Sequence, residues 1–550
     1  MGKIKTSRKT TSKEPFDVMG FAAAAWIISM LVILPNWTHN AYADVLTTKY
    51  GFCLVADGIL LGVYIIWALA SGHIKKSIEK MKSYADPETG KWFGSWFKAE
   101  FSILDIFMLI FLVIVVISTL QAYPYIYQAF FGNEGRWHGA IILSLYVLTY
   151  FVVSRHYVFK KWHITAFLIG FLYICIWAIT DYFKLDILHF KYGIAEEHYD
   201  IFVSSIGNID TYTAVAMIPF AFAGIMLIQS EEKTGRLVFY WICSFVAMVS
   251  MITSAADNAY LSFFAFYAFA PFIAFKSRRG VRRYLLMLAS FVTAIELVVF
   301  WNAKYGDAVV KPSGVVSILE GIPQLKTLLV ILWIAVIILY VYDLAIKKYS
   351  ITTPAPKFLH TAWLVLTIAG FAGVIVLVIL ANQDPPVIPA VLEPARDYLR
   401  FTDSWGMWRG LVWKKLMDLY NSFPAIHKVF GAGPETAGIY LQNNYYREIA
   451  EASGLFYDSP HNELLQMFFT MGPIGLISYL GIMISPSVLA ARRTLKKCYP
   501  VIAAICIVCI CHVFECWVNI MVPMDVPTIF ALIAIACNLY RKSKEGVTAI

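Results

Sequence analysis

Charge is what this sequence has least of. Of its 550 residues only 15% are Asp, Glu, Lys or Arg, whereas 59% are hydrophobic and 16% aromatic, and the mean hydropathy is +0.66. A water-soluble chain with so little charge could not cover its own surface, which leaves a protein that threads a bilayer repeatedly. Cysteine is scarce where it would staple anything: the nine cysteines fall almost entirely in or beside apolar runs and none lies in the longest loop, so no disulfide framework is indicated. No internal repeat is apparent. The opening "MGKIKTSRKTTSKEP" is basic, and the apolar run behind it lacks a small-residue cleavage site, so it reads as a cytoplasmic anchor and not as a cleaved signal. The net charge of +9 would suit nucleic acid, but its distribution assigns it to membrane topology instead.

What the sequence has in abundance is apolar runs long enough to cross a bilayer as helices. They fall near 17–35, 51–71, 102–121, 137–154, 163–181, 212–229, 237–254, 258–275, 284–301, 324–345, 358–382, 464–489, 499–517 and 520–540, fourteen in all. If the N-terminus is cytoplasmic, 31 of the 45 Lys and Arg residues lie on the inner side, and half of the other 14 lie in one long loop where the charge rule is weak. The even number of spans returns the C-terminus to the cytoplasm. The expectation is an all-α polytopic membrane bundle of about 14 transmembrane helices. It divides into a cytoplasmic basic tail (1–16), a transmembrane bundle (17–382), an extracytoplasmic loop domain with an amphipathic helix (383–463), C-terminal spans (464–540) and a cytoplasmic tail (541–550). A loop of that length is functional or disordered, and its Trp and Tyr content argues against disorder.

Within the loop, "GMWRGLVWKKLMDLYNSFP" projects as an amphipathic helix at about 100° per residue. Trp408, Val412, Trp413, Leu416, Met417, Leu419 and Tyr420 cluster around Arg409, Lys414 and Lys415 fall opposite, and Leu411 is misplaced. Lys414 and Lys415 have a plain reading as a solvated face. Arg409 does not, because a guanidinium on an apolar face needs an anion. Its planar fork suits a phosphate or, in the structural reading, a carboxylate of the loop. "HKVFGAGPETAG" follows: Gly431, Gly433 and Pro434 form either a loop corner or a close backbone approach to a ligand, with Glu435 at its edge.

In "FYDSPHNELLQMFFTMGPIGLISYL", Ser459 is a good N-cap and Pro460 a favoured first helical residue, which puts His461 and Asn462 in the first turn of a helix entering the membrane. Such a terminus is an anion site, and its dipole disfavours imidazolium, so His461 stays neutral and able to accept a proton. The plainer reading is a histidine that satisfies backbone groups. Arginine, neutral histidine and helix terminus together suit holding a lipid-linked diphosphate while a hydroxyl is deprotonated. His512 and Glu515, inside a span, are either functional or one helix-to-helix hydrogen bond. The surrounding "CIVCICHVFEC" looks like a metal cluster only superficially, since cysteine in a span is an ordinary small apolar residue.

These residues resemble the O-antigen ligase and polymerase family of bacterial membrane glycosyltransferases. The resemblance rests on "WRGLVWKKL" followed by "FGAGPETAG", on "SPHNELLQMFFTMGPIGLISYL", on "SSIGNIDTYTAVAMIPFAFAG" (204–224) and on "TSAADNAYLSFFAF" (253–266). It implies metal-independent, inverting transfer of a glycan from undecaprenyl diphosphate to a hydroxyl of a glycan, lipid or protein, at the outer face of the bacterial cytoplasmic membrane. It implies no cofactor and no nucleic acid. His461 would be the base and Arg409 the diphosphate ligand, with Asn462, Glu435, Trp413, Lys414, Asp257, Asn258, Asn208, Glu515 and His512 as candidate substrate contacts. Many members carry a second arginine where this chain reads Ala255-Ala256-Asp257-Asn258, so Arg396, Arg400 and Arg447 become candidates for that contact.

Two other classes compete. A flippase or polysaccharide transporter would also fit fourteen spans, but transporters show internal repeats and midplane polar sites. A metal-dependent transferase using polyprenyl phosphate would, by resemblance, need acidic residues in the first outer loop, where "NWTHNAYADVLTTKY" offers only Asp44.

Overall fold

The computed structural model describes residues 16–86, 89–346, 354–491 and 499–545. The basic tail up to residue 15, the cationic segment 492–497 and parts of 347–357 and 541–550 lie outside the described residues. Each of the fourteen expected spans falls on a helix. Ten of these are long and apolar enough to cross a membrane, and Ala140–His156, Ala259–Ala274 and Tyr499–Glu515 are shorter apolar helices. Val526–Lys544 closes the set. Among the described residues the strands are two residues each, Phe202–Val203 paired antiparallel with Gly207–Asn208. The protein is an all-α, multi-pass membrane bundle.

Helix Ile209–Gln229 is its axis. Every residue of its most apolar stretch is buried, and it packs on Thr234–Thr253 and Tyr499–Glu515. Small residues allow this: Ala214, Ala216, Ala221, Ala223 and Gly224 let neighbouring backbones come close, which in lipid replaces the missing hydrophobic drive between helices. Helices Gln324–Ala345 and Lys357–Ala381 are the opposite, with 11% and 6% of their apolar windows buried. Their Ile, Leu and Val side chains face outward, as a lipid-facing surface requires.

Two boundaries differ from the apolar runs. The second span begins at Val45, not near 51, because Lys49 is accommodated inside the helix. Its ammonium is buried and donates to the carbonyls of Leu34, Pro35 and Trp37 at 2.9, 2.8 and 3.0 Å, at the end of the first span. The last span starts at Val526, not 520, since the chain first makes a turn in which Asp525 accepts from the Val522 N–H at 3.2 Å.

The segment 383–463 carries a hydrophobic cluster of its own. Leu411, Val412, Leu416, Leu419, Phe423, Leu441, Ile449 and Tyr457 pack together and onto Phe469. Its two main helices, Trp405–Ser422 and Thr436–Ser453, lie against each other. The helix Glu463–Ala491 breaks at Gly472 (φ 67°, ψ 178°) ahead of Pro473, so its first turns stand apart from the part that follows.

Replacing Lys49 by Met takes its donor from the Trp37 carbonyl and one of two donors from the Leu34 and Pro35 carbonyls, which keep the Trp37 N–H and the Ser205 hydroxyl. At about 1–3 kcal/mol for an unsatisfied buried group, the variant should unfold at a clearly lower temperature in detergent than the parent. An unchanged melting midpoint would contradict the capping role.

Candidate active site

Helix Trp405–Ser422 does not start as a regular helix. Gly406, Met407 and Trp408 are all left-handed (φ 58°, 55° and 70°), and Arg409 is the first residue after that turn. The angular projection is therefore wrong at its start. The buried stripe is Leu411, Val412, Leu416 and Leu419, so Leu411 belongs to the apolar face and Arg409 stands at its edge. The Arg409 side chain, 19% exposed, reaches Asp210 through Nη2 at 3.5 Å. That carboxylate comes from the first turn of the central helix, not from the loop.

The expected start of the next helix is also corrected. Ser459 is not its N-cap. Asn462 is: its Oδ1 accepts from the Leu465 N–H at 2.9 Å, and the helix begins at Glu463. His461 precedes the cap in left-handed backbone (φ 47°). Ser459 instead accepts from the His461 backbone N–H at 3.3 Å and from Arg136 Nη2 at 3.0 Å. The imidazole Nδ1 lies 3.3 Å from the Ser459 carbonyl oxygen, and the Tyr457 ring meets it edge-on with centroids 5.7 Å apart.

Two ties bring this turn to the arginine helix. Trp413 Nε1 donates to the Pro460 carbonyl at 2.7 Å, and the Tyr457 hydroxyl donates to the Met407 carbonyl inside the left-handed turn. Arg409 and His461 thereby come together. Burial first, then the positive charges of Arg136 and Arg409, hold the His461 imidazole well below the ordinary histidine range, against an upward pull from Asp458. Asp458 is held low: burial raises it, but Arg136 outweighs this by charge and hydrogen bonds. Glu435, buried at the start of helix Thr436–Ser453, is pushed up to about 7 by burial, with Arg136 opposing and Asp458 reinforcing.

The other candidates divide. Asn258 Nδ2 and Asn519 Nδ2 both donate to the Asp210 carbonyl at 2.9 Å, so they frame the Arg409 side of the site. Asn208 caps the central helix by accepting from the Asp210 N–H at 2.8 Å. Both Asp257 carboxylate oxygens are engaged, by the Val315 N–H at 2.7 Å and the Tyr398 hydroxyl at 2.6 Å. Lys414 is exposed and pairs with Asp403 at 2.6 Å. His512 Nε2 lies 2.8 Å from the Tyr479 hydroxyl inside the bundle, and the Glu515 carboxyl is buried there as well. Arg396 pairs with Glu393 at 3.7 Å.

The Gly-x-Gly-Pro turn is a protein-to-protein approach. A Cβ on Gly431 (φ 81°) would stand 2.2 Å from the Thr470 backbone, and the next two amides donate to Phe469 and Thr470 at 3.1 and 2.9 Å. A Cβ on Gly438 would stand 2.0 Å from the Asp458 carbonyl oxygen, so this glycine lets helix Thr436–Ser453 pass beside the histidine turn.

Sequence reasoning missed Arg136, Asp458, Tyr457, Asp210 and Asn519. Arg136 was visible as a lone arginine in a short loop on the side poor in cations. Asp458 stood three residues before His461.

Here the class is defined: a multi-pass membrane protein with a polar site at one end of its bundle, built from a helical loop. Residues 325–480 match the family described as O-Antigen ligase. The matched region takes in Arg409, Glu435 and His461. Segments 204–224 and 253–266 lie outside it. No curated protein matches the chain. The match supports glycan transfer of the O-antigen ligase type in general.

Gly438→Ala is expected to displace the Asp458 turn and cost most of the activity. Gly235→Ala, where the added methyl meets open space, should cost little. Equal activity of the two variants would show that the close approach does not matter.

Proposed function

We propose that the protein transfers a glycan from a polyprenyl-diphosphate carrier to a hydroxyl acceptor at the outer face of the bacterial cytoplasmic membrane, with inversion and without a metal ion. The observation that carries this is the convergence of Arg409 and a neutral His461, joined through Trp413 and Tyr457. His461 takes the proton of the acceptor hydroxyl, and the oxygen bonds to the anomeric carbon from the face opposite the leaving group. The carbon–oxygen bond to diphosphate breaks, and its electron pair leaves with the phosphate. Arg409 lies beside the developing negative charge, to which its fork is suited. Asp210 orients that fork through a long, single contact (3.5 Å) that a diphosphate can outcompete. Both termini are cytoplasmic on this reading, consistent with the bias of Lys and Arg.

The electrostatics link donor and base. In the free protein two guanidinium groups depress the imidazole. A bound diphosphate offsets that positive charge and raises the proton affinity of His461 at the moment a base is needed.

Two outcomes follow. Arg409→Ala and His461→Ala should each abolish polymerised or attached glycan in cells that still contain the protein; normal glycan levels would overturn the site. In a reconstituted assay with donor varied, the acid limb of kcat/KM should lie below the ordinary histidine pKa of about 6.5. The limb of kcat, which reports the donor-bound protein, should lie higher. Coincident limbs would contradict the coupling.

A further inference from the structure

The matched family region begins at residue 325, yet the most completely bonded charge beside His461 comes from the first third of the chain. Arg136 lies in the loop between helices Ile126–Phe131 and Ala140–His156. Its side chain is buried and reaches Asp458 with both ends of its fork, Nε to Oδ2 at 2.9 Å and Nη2 to Oδ1 at 2.5 Å. Nη2 also donates to Ser459 Oγ at 3.0 Å. The same loop holds the other side of the site, since Asn133 Nδ2 donates to the Glu435 carbonyl at 2.6 Å. One short loop thus grips both the Glu435 turn and the turn that carries His461.

The grip bears on a strained backbone. A non-glycine residue in the left-handed region persists only where its surroundings hold it, and His461 is such a residue. On its N-terminal side the two preceding side chains with polar groups, Asp458 and Ser459, are both held by Arg136. On its C-terminal side stands the Asn462 cap. Without Arg136, the backbone before His461 would rest on the bonds from Trp413 and Tyr457 and on the local bond from the His461 N–H to Ser459.

We propose that Arg136 is a positioning residue for glycan transfer: by bridging Asp458 and Ser459 it fixes the turn that presents His461 beside Arg409, and it makes the N-terminal half of the chain part of the site. Its own fork is occupied by Asp458, so it serves the base and leaves the donor's diphosphate to Arg409. The proposal rests on the reading of His461 and Arg409 given above and adds a residue to it.

The charged and titratable groups around the imidazole are Arg136 from this loop, Arg409 from its helix, Asp458 and Tyr457 from its own segment, Glu435 from the neighbouring turn, and Glu463 from the helix that follows. Removing one guanidinium from this set makes it easier to protonate His461, so activity should fall away at higher pH than in the parent.

The test uses the full-length protein in liposomes, with Arg136→Gln, Arg136→Lys, Asp458→Asn and the double variant Arg136→Gln/Asp458→Asn. The double variant removes both charges of the pair and guards against loss of the fold from a stranded carboxylate. Arg136→Gln should lower kcat about a hundredfold, the scale of a misplaced catalytic group. The donor KM should stay within about twofold of the parent, and the acid limb should move up. The lysine variant should recover part of kcat but not all, since an ammonium cannot bridge both oxygens in the same plane. The double variant should be no worse than the worse single variant. Three results overturn the proposal: a parental kcat in folded Arg136→Gln, a rise in KM alone, or a loss that only follows the amount of folded protein. If His461→Ala and Arg409→Ala are inactive while Arg136→Gln is not, only this inference falls. If His461→Ala is active, the reading beneath it falls.

Discussion

Two turns of left-handed backbone face one another, and the site exists because they are tied together. One precedes Arg409, at Gly406, Met407 and Trp408; the other is His461 itself. Neither is a comfortable conformation for a residue with a side chain, and each costs of order 1–3 kcal/mol where the surroundings do not compensate. Tyr457 answers for both, with its hydroxyl on the Met407 carbonyl and its ring against the imidazole. Trp413 adds a second tie, from the arginine helix to Pro460. The cluster beneath, from Leu411 to Phe469, gives these ties a firm base. Strain stored in this way is affordable only in a segment with its own core, and that accounts for a helical loop this long.

The electrostatic arrangement follows from the geometry. Nearby positive charge and burial keep an imidazole neutral, and Arg136, Arg409 and burial all act in that direction on His461. The arrangement differs from the helix-dipole account suggested by the sequence. Because His461 lies before the cap, with Asn462 occupying the cap position, the two guanidinium groups supply a depressing charge that needs no helix terminus. In the proposed reaction an anionic donor would offset that positive charge and raise the basicity of His461 when the donor is bound.

Much of this was legible in the sequence because it was written in local patterns. Apolar runs marked the fourteen helices, and Arg409 and His461 stood out as a cation on an apolar face and a histidine where a chain enters lipid. What could not be read was anything depending on distant pairing. Asp210 lies 199 residues from Arg409, and Arg136 lies 322 residues from Asp458. Local rules also misled where backbone handedness changed. A projection of uniform helix over 408–421 misplaced Leu411, because the chain is left-handed through Trp408. A serine-proline pair looked like a cap, but an asparagine two residues past the proline holds the cap position with a better-aimed carboxamide.

The charge bias that ordered the spans contains a further signal in its exceptions. Outside the long loop, Lys49, Arg136 and Lys191 are the buried cations on the cation-poor side, whereas Lys184, Lys304 and Lys311 there are exposed. All three buried cations are engaged: Lys49 with three carbonyls, Lys191 with the Tyr199 carbonyl at 2.9 Å, Arg136 with Asp458. A cation on that side runs against the charge bias, and burying it without partners would be costly. Lys49 and Lys191 are satisfied by backbone and serve the fold where they stand. Arg136 alone of the three spends its fork on a carboxylate beside the proposed base, and this difference in partner separates a structural cation from one that shapes the chemistry.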